Sequence, residues 1–363
     1  MTAAFHANSG ALTLQFDSRR GDFHLSVDLE LPGQGVTGVV GPSGCGKTSL
    51  LRAVAGLDRI EGGRLALGED VWQSPTHFRP THKRRLGYVF QEASLFEHLS
   101  VRANLEYGWR RTPARERRLS PDTLTQWLNL GPLFSRPVSA LSGGERQRVA
   151  IGRALATSPD LLLMDEPLAA LDPASKQSIL PYLETLHDSL SIPVLYVSHA
   201  PEEVARLADH LVVMASGRVL ASGPLAQILT RPDLPLAQAD DAAAVLTGTV
   251  EGHDDHYALT RVALAGGALT LTRQPREPGQ PVRLRVAARD VSLTLSPSGD
   301  TSILNCLPVK VTGLTPHDAS RVTVELRCGE QPLLARVTRK SVEELRLAPG
   351  VDCYAQIKTA ALL

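Results

Sequence analysis

GVTGVVGPSGCGKTSLLRAVAGL, residues 35–57, is the stretch on which the fold turns. GVTGVVG (35–41) reads as a short strand, and GKTSLLRAVAGL (46–57) carries the apolar spacing of a helix that stops near Gly56. Between them, Gly41-Pro42-Ser43-Gly44-Cys45-Gly46-Lys47-Thr48 fits GxxxxGK[ST] in the strand-then-helix setting that this motif requires. Glycines there let successive backbone N–H groups turn inward on phosphates at a helix N-terminus, where the helix dipole also favours anions. Lys47 is placed to neutralise β- and γ-phosphates, and Thr48 to give its hydroxyl to Mg2+. Cys45 reads as a small residue inside the loop.

Working outward, LLLMDE (161–166), PVLYVSH (193–199) and HLVVMA (210–215) are continuous apolar runs bounded by turns or acids. Such runs suit strands buried on both faces of a largely parallel sheet. They alternate with helical stretches from about residue 34 to 232, which predicts an α/β unit. Asp165, closing its run, is placed to hold the Mg2+ shell, and Glu166 to orient or deprotonate an attacking water. A strand ending in Asp-Glu is weak evidence alone, because acids often close strands at sheet ends. Together with the phosphate loop it makes the second half of a nucleotide site. In LSGGERQRVAIGRAL (141–155), Ser142, Gly143 and Gly144 precede a helical pattern with Glu145 in its first turn. That is a second anion-binding helix end. Two of them on one chain pose a geometric puzzle that a dimer solves.

Composition sets the outer bounds. The chain has 363 residues, with 38 Lys+Arg against 38 Asp+Glu and 43% hydrophobic residues. At roughly 100–200 residues per domain this allows two or three domains and excludes a disordered chain. Zero net charge gives no global attraction to nucleic acid or anionic lipid. The basic stretch WRRTPARERR (109–118) reads as a solvated helix face or loop. Cys45, Cys306, Cys328 and Cys353 show no metal-ligand spacing and fit a reduced, cytosolic setting. The N-terminus lacks the pattern of a secretory signal, and no apolar run approaches the roughly 18 residues of a membrane span, so the chain is not expected to cross a bilayer.

Near 232–246 the composition shifts, and RPDLPLAQADDAAAV reads as a linker or a terminal helix leading into one. Beyond it, short alternating segments such as ALTLTRQ, PVRLRVAARDVSLTLS and RVTVELRC suggest one or two small β-barrels. ARDVSLTLSPS (288–298) marks a seam between two β units.

With phosphate loop, Asp-Glu strand end and Ser-Gly-Gly helix in place, the chain resembles an ATP-binding cassette ATPase over roughly residues 10–235. The resemblance implies a P-loop cassette, a mixed sheet with helices plus a helical subdomain at about 92–155, followed by a small all-β, OB-like C-terminal domain. The expected division is a cassette at 1–234, a linker at 235–245 and a β-barrel regulatory domain at 246–363. It further implies that Ser142 and Gly144 contact ATP across a homodimer. Gln91, in YVFQEASLF, would reach Mg2+ and the attacking water, and His199, in LYVSHAPEE, would contact the γ-phosphate. Asp172, in LAALDP, would signal between subunits. Phe23 stands upstream where an aromatic usually stacks on adenine, and fits a place in the core equally well.

A lone ATPase half resembles bacterial importers, in which two such subunits dock on two separate membrane-spanning permease subunits served by a substrate-binding protein. RLGYVFQEASLF (85–96), with HLSVRANL (98–105), is similar to the molybdate importer ATPases, Glu97 replacing a usual proline. LPYLETLHDSLSIPVLYVSHAPEEVARLADHLVVM (180–214) carries the same likeness. Residues 301–363 resemble the small molybdate-binding β domain, in which Ser302, Thr338, Ser341, Lys358 and Thr359 match polar positions and would hold the oxyanion. Leu304 stands where that family usually has Arg, which removes a charged donor. The resemblance therefore implies an ATP- and Mg2+-dependent ATPase for molybdate, with tungstate a further substrate, on the cytoplasmic face of the inner membrane. An ATPase for sulfate, iron, polyamine or sugar import is the alternative. A cassette protein acting on DNA or ribosomes would show a coiled-coil insertion or tandem cassettes, and neither is present.

Overall fold

A computed structural model describes residues 10–297 and 300–363. The chain divides into two compact units, one ending at Gly223 and one running from Pro224 to Leu363.

The first unit begins with strands β1 (Leu12–Arg20), β2 (Phe23–Leu31) and β3 (Gly35–Val40), then helix α1 (Lys47–Ala55). Short strands β4 (Arg64–Leu67), β5 (Asp70–Gln73) and β6 (Leu86–Val89) follow. A mainly helical stretch carries α2 (Val101–Arg111), α3 (Pro121–Trp127) and α4 (Gly143–Leu155). The unit closes with β7 (Leu161–Asp165), α5 (Pro173–Ser189), β8 (Pro193–Val197), α6 (Pro201–Leu207), β9 (His210–Ala215) and β10 (Arg218–Pro224). All ten strands form one sheet in the order β5-β4-β1-β2-β10-β9-β3-β8-β7-β6.

That sheet has two characters. β3 runs parallel to β8 and β9, and β7 runs parallel to β6 and β8. β1, β2, β4 and β5 form an antiparallel wing. Every residue of β7 and of β8 is buried, which is why their sequences read as unbroken apolar runs rather than alternating ones. The parallel arrangement brings the C-terminal ends of β3, β7 and β8 to one edge, where ligands bind in open α/β sheets. The basic stretch 109–118 is the end of α2 and a 3₁₀ turn (Ala114–Glu116), with the Arg117 guanidinium 4.0 Å above the Trp109 ring and Arg118 paired with Asp160.

The second unit opens with helices α7 (Leu225–Leu229) and α8 (Pro235–Gln238). Strands β11 (Ala243–Asp254), β12 (Leu259–Leu264), β13 (Gly267–Thr272), β14 (Pro281–Ala287) and β15 (Val291–Thr294) follow. After them come β16 (Asn305–Pro316), β17 (Arg321–Cys328), β18 (Gln331–Thr338), helix α9 (Arg339–Glu344), β19 (Asp352–Ile357) and β20 (Ala361–Leu362). They make two antiparallel five-stranded sheets, β13-β12-β11-β14-β20 and β15-β19-β16-β17-β18. One hydrophobic core, including Leu246, Val262, Leu284, Val309, Leu326 and Ala355, serves both. The seam read at 288–298, of which residue 298 lies outside the described residues, falls at 288–297 where the chain passes from β14 in the first sheet to β15 in the second. The last strand, β20, returns to pair with β14, so the two sheets are interlocked rather than consecutive barrels.

Candidate nucleotide site

The site grows from the turn between β3 and α1. Gly46 is the N-cap of α1 at φ 107, and no side chain caps the helix there. Its first-turn N–H groups are thus left for a ligand. A Cβ at Gly46 would lie 2.7 Å from Phe23 Cζ, so only glycine fits both this backbone and this neighbour. Lys47 is 5% exposed, and its ammonium folds back over the loop to donate to the carbonyls of Gly41 (2.9 Å) and Pro42 (3.2 Å). An open cleft of ≈ 280 Å³ is lined by Phe23, Ser43, Gly44, Gly46, Lys47, Thr48, Ser49 and Glu166. Phe23 lines this cleft and also packs against the hydrophobic core, the place in the core read for it in the sequence.

Across the cleft, β7 delivers its terminal acid. Thr48 Oγ1 donates to Asp165 Oδ1 at 3.1 Å, and the Tyr88 hydroxyl donates to Asp165 Oδ2 at 3.1 Å. Burial pushes the Asp165 carboxyl above its ordinary value. The two hydroxyl bonds oppose that, and the neighbouring Glu166 charge adds to it. The Tyr88 hydroxyl is itself pushed up by burial and by the Asp165 charge, which keeps it a donor. Glu166 lies just past the strand with φ 46, a left-handed conformation that costs a non-glycine residue about 1–3 kcal/mol. Its backbone N–H is fixed by the Val197 carbonyl at 3.0 Å. Its carboxylate meets His199 Nδ1 at 3.2 Å, so the acid and the histidine read separately in the sequence are a hydrogen-bonded pair.

The remaining cassette residues stand apart from this cluster. Gln91 is exposed two residues beyond β6, and among the described residues its side chain bonds neither Thr48 nor Asp165. Ser142 caps α4 in a reciprocal box: its hydroxyl accepts from Glu145 N (3.3 Å) and its N–H donates to Glu145 Oε2 (2.8 Å). Neither Ser142 nor Gly144 lines the cleft that holds Lys47. Asp172 caps α5, accepting from Ser175 N at 3.0 Å and Ser175 Oγ at 2.6 Å, and these bonds hold its carboxyl low.

The five oxyanion candidates fall into two groups. Thr338 caps α9, accepting from Ser341 N at 3.0 Å, with the two hydroxyls 2.8 Å apart. Lys358 and Thr359 are exposed just beyond β19, and exposed Ser302 precedes β16, whose Asn305 pairs with Ile357. Because Thr338 pairs with Arg321 and Val322 with Pro316, the two groups sit at opposite ends of β16. Among the described residues no hydrogen bond joins them. Leu304 is 70% exposed beside Ser302.

Sequence reading passed over three contacts. Tyr88 stands in the sequence only as part of the YVFQEASLF run, and its register opposite Leu163, two residues before Asp165, becomes visible only in the sheet. Gln147, 2% exposed, donates to the Phe90 carbonyl (3.4 Å). Arg153 donates to the Ser94 carbonyl (3.0 Å). These two tie α4 to the segment around Gln91.

With this geometry in hand, the likenesses are informative. A family model described as ABC transporter matches residues 25–169, and one described as TOBE domain matches 301–363. The molybdenum import ATP-binding protein of Hahella chejuensis is 53% identical over 97% of this chain and 99% of its own length. Its counterpart in Thiobacillus denitrificans is 55% identical over 98% and 99%. That of Bordetella parapertussis is 52% identical over the full length of both. Among solved structures, cbiO1 from Clostridium perfringens, part of the ABC transporter complex cbiONQ, is similar at TM-score 0.54 and 26% identity, covering 61% of this chain and 92% of that one. The chain belongs to the molybdenum import ATP-binding proteins, a family of ABC transporter ATPases.

Proposed function

We propose that the chain hydrolyses ATP to drive molybdate uptake, with tungstate as a second substrate, through a bacterial importer. The observation that carries this reading is the meeting of Lys47, Thr48, Asp165, Glu166 and His199 at the ends of β3, β7 and β8. Relatives named for molybdenum import match the chain end to end and supply the substrate class.

The α1 N-terminus and Lys47 bind the phosphates, the lysine exchanging its two carbonyl partners for phosphate oxygens. Thr48 Oγ1 and Asp165 Oδ1, 3.1 Å apart, are hard oxygen donors of the kind Mg2+ takes, and Gln91 would complete the set. Bound there, the ion would neutralise charge on the β- and γ-phosphates. Glu166 orients a water and accepts its proton as the water oxygen bonds to the γ-phosphorus and the bond to the ADP oxygen breaks. His199, held by Glu166, faces the γ-phosphate. Positioning and charge stabilisation carry most of the rate, because phosphoryl transfer needs little covalent help.

Ser142 and Gly144 complete the site of a second copy, so that two subunits sandwich two ATP and Asp172 reports across the interface. Their absence from the cleft lining supports this. Closure pulls on two membrane-spanning permease subunits through the surface near Gln91, at the cytoplasmic face of the inner membrane, with a separate binding protein delivering the anion. Of the five oxyanion candidates, Ser302, Lys358 and Thr359, which share one end of β16, hold the imported oxyanion as a regulator, while Thr338 and Ser341 lie at the other end. The chain's own helices include none long and apolar enough to cross a membrane, among the described residues.

The test is Glu166→Gln in the assembled transporter. ATP should remain bound, hydrolysis should fall by about 10²–10⁴-fold, and molybdate uptake should stop. Normal turnover would remove Glu166 from its role, and uptake of sulfate in place of molybdate would redirect the substrate assignment.

A further inference from the structure

Four residues after the site's own His199 lies a second carboxylate that the hydrolytic machinery leaves unused. Glu203, in the first turn of α6, is 5% exposed, and both of its carboxylate oxygens are engaged. Its Oε2 accepts from the Ser198 hydroxyl at 2.8 Å and from the Tyr196 hydroxyl at 3.0 Å, and its Oε1 accepts from Lys176 Nζ at 3.1 Å. Ser198 is 2% exposed and passes the constraint on, because its Oγ also accepts from Ala200 N at 3.0 Å. Ser198 and Ala200 flank His199 on either side. The His199 ring itself is exposed, and among the described residues its side chain bonds Glu166. Its direction is therefore set by the backbone that the Ser198 clamp fixes.

The other end of the network reaches the second signalling element. Lys176 stands in the first turn of α5, and its N–H donates to the carbonyl of the helix cap, Asp172, at 3.0 Å. A chain of direct bonds thus runs from Asp172 through Lys176 and Glu203 to Ser198 and the backbone around His199.

We propose that Glu203 is a positioning residue for ATP hydrolysis: it clamps the Ser198–Ala200 turn so that His199 faces Glu166 and the γ-phosphate, and through Lys176 it ties that aim to the helix begun by Asp172. The inference rests on the hydrolytic roles assigned above to His199 and Glu166. A buried carboxylate with three donors costs far more to disturb than a surface ion pair, since removing it strands two hydroxyls and an ammonium. Small displacements of a reacting group are expensive in rate while leaving substrate binding intact.

The experiment measures ATP hydrolysis and ATP binding by the full-length chain carrying Glu203→Gln, Ser198→Ala and His199→Ala, singly and with each of the first two combined with the third. Glu203→Gln and Ser198→Ala should each lower kcat by about 10- to 100-fold with ATP affinity within about twofold of the parent. In the His199→Ala background neither should lower kcat further, because both act through the histidine. Equal fold losses in both backgrounds, or ATP affinity falling in step with kcat, would make Glu203 a general structural support and overturn the proposal. If a variant is less stable, its kcat is read under conditions where thermal melting shows it folded, and a parental kcat there likewise overturns it. Parental turnover in His199→Ala alone would instead fault the hydrolytic reading on which the clamp depends.

Discussion

Replacing Asp165 by Asn should make the nucleotide-free protein more stable while ending hydrolysis. The carboxyl is 8% exposed and held by two hydroxyls at 3.1 Å each. Burial outweighs those bonds and lifts it above the ordinary 3.8, so its charge is tolerated rather than favoured until a cation joins it. A carboxyl raised in the folded state contributes stability at low pH that is lost as pH rises through the raised pKa. Asn keeps the shape: Oδ1 can accept from Thr48, and Nδ2 can donate to the Tyr88 oxygen. Two hydrogen bonds of about 1 kcal/mol each survive, while the desolvated charge is gone. Neutralising such a function-driven charge should return about 0.5–2 kcal/mol. For a unit of this size each kcal/mol moves Tm by about 2–4 °C. Scanning calorimetry in EDTA, from pH 4 to pH 8, reads the effect directly. The variant should melt above the parent at pH 8, and the difference should shrink as pH falls toward the unfolded carboxyl value. A variant no more stable at pH 8, or a gain that ignores pH, would refute the electrostatic account of this site.

Two further outcomes follow from the same geometry. Lys47→Ala should weaken nucleotide binding by at least about 100-fold, since two charge-assisted bonds of about 1.5–3 kcal/mol are removed, and an unchanged Kd in a fluorescence titration would refute the phosphate-loop reading. Calorimetric titration of the full chain should show molybdate and tungstate binding, no sulfate binding, and loss of the heat in Lys358→Ala. Absence of heat with all three anions would mean that Leu304 marks a domain whose oxyanion affinity is gone.

Much of this protein is set by its sequence alone. The phosphate loop is legible because its requirements are local: a glycine at each left-handed turn, a lysine and a threonine at fixed spacing, a strand before and a helix after. The apolar runs at 161–166 and 193–199 are legible because strands covered on both faces admit no polar alternation, and β7 and β8 are buried throughout. Even the end of α1 at Gly56 follows from the glycine that closes it.

What only the tertiary structure decides is which of these local pieces touch. Tyr88 reaches Asp165 through the register of β6 against β7, Glu166 reaches His199 across β7 and β8, and Glu203 meets Lys176 between two helices. None of these pairings has a sequence period, because parallel strands are joined by long crossovers and their register is set by packing of the whole sheet. The five polar positions of the second unit show the same limit from the other side. They match a family pattern residue by residue, yet the ladder parts Thr338 and Ser341 from Lys358, Thr359 and Ser302 along β16, a separation fixed by strand pairing and invisible to spacing.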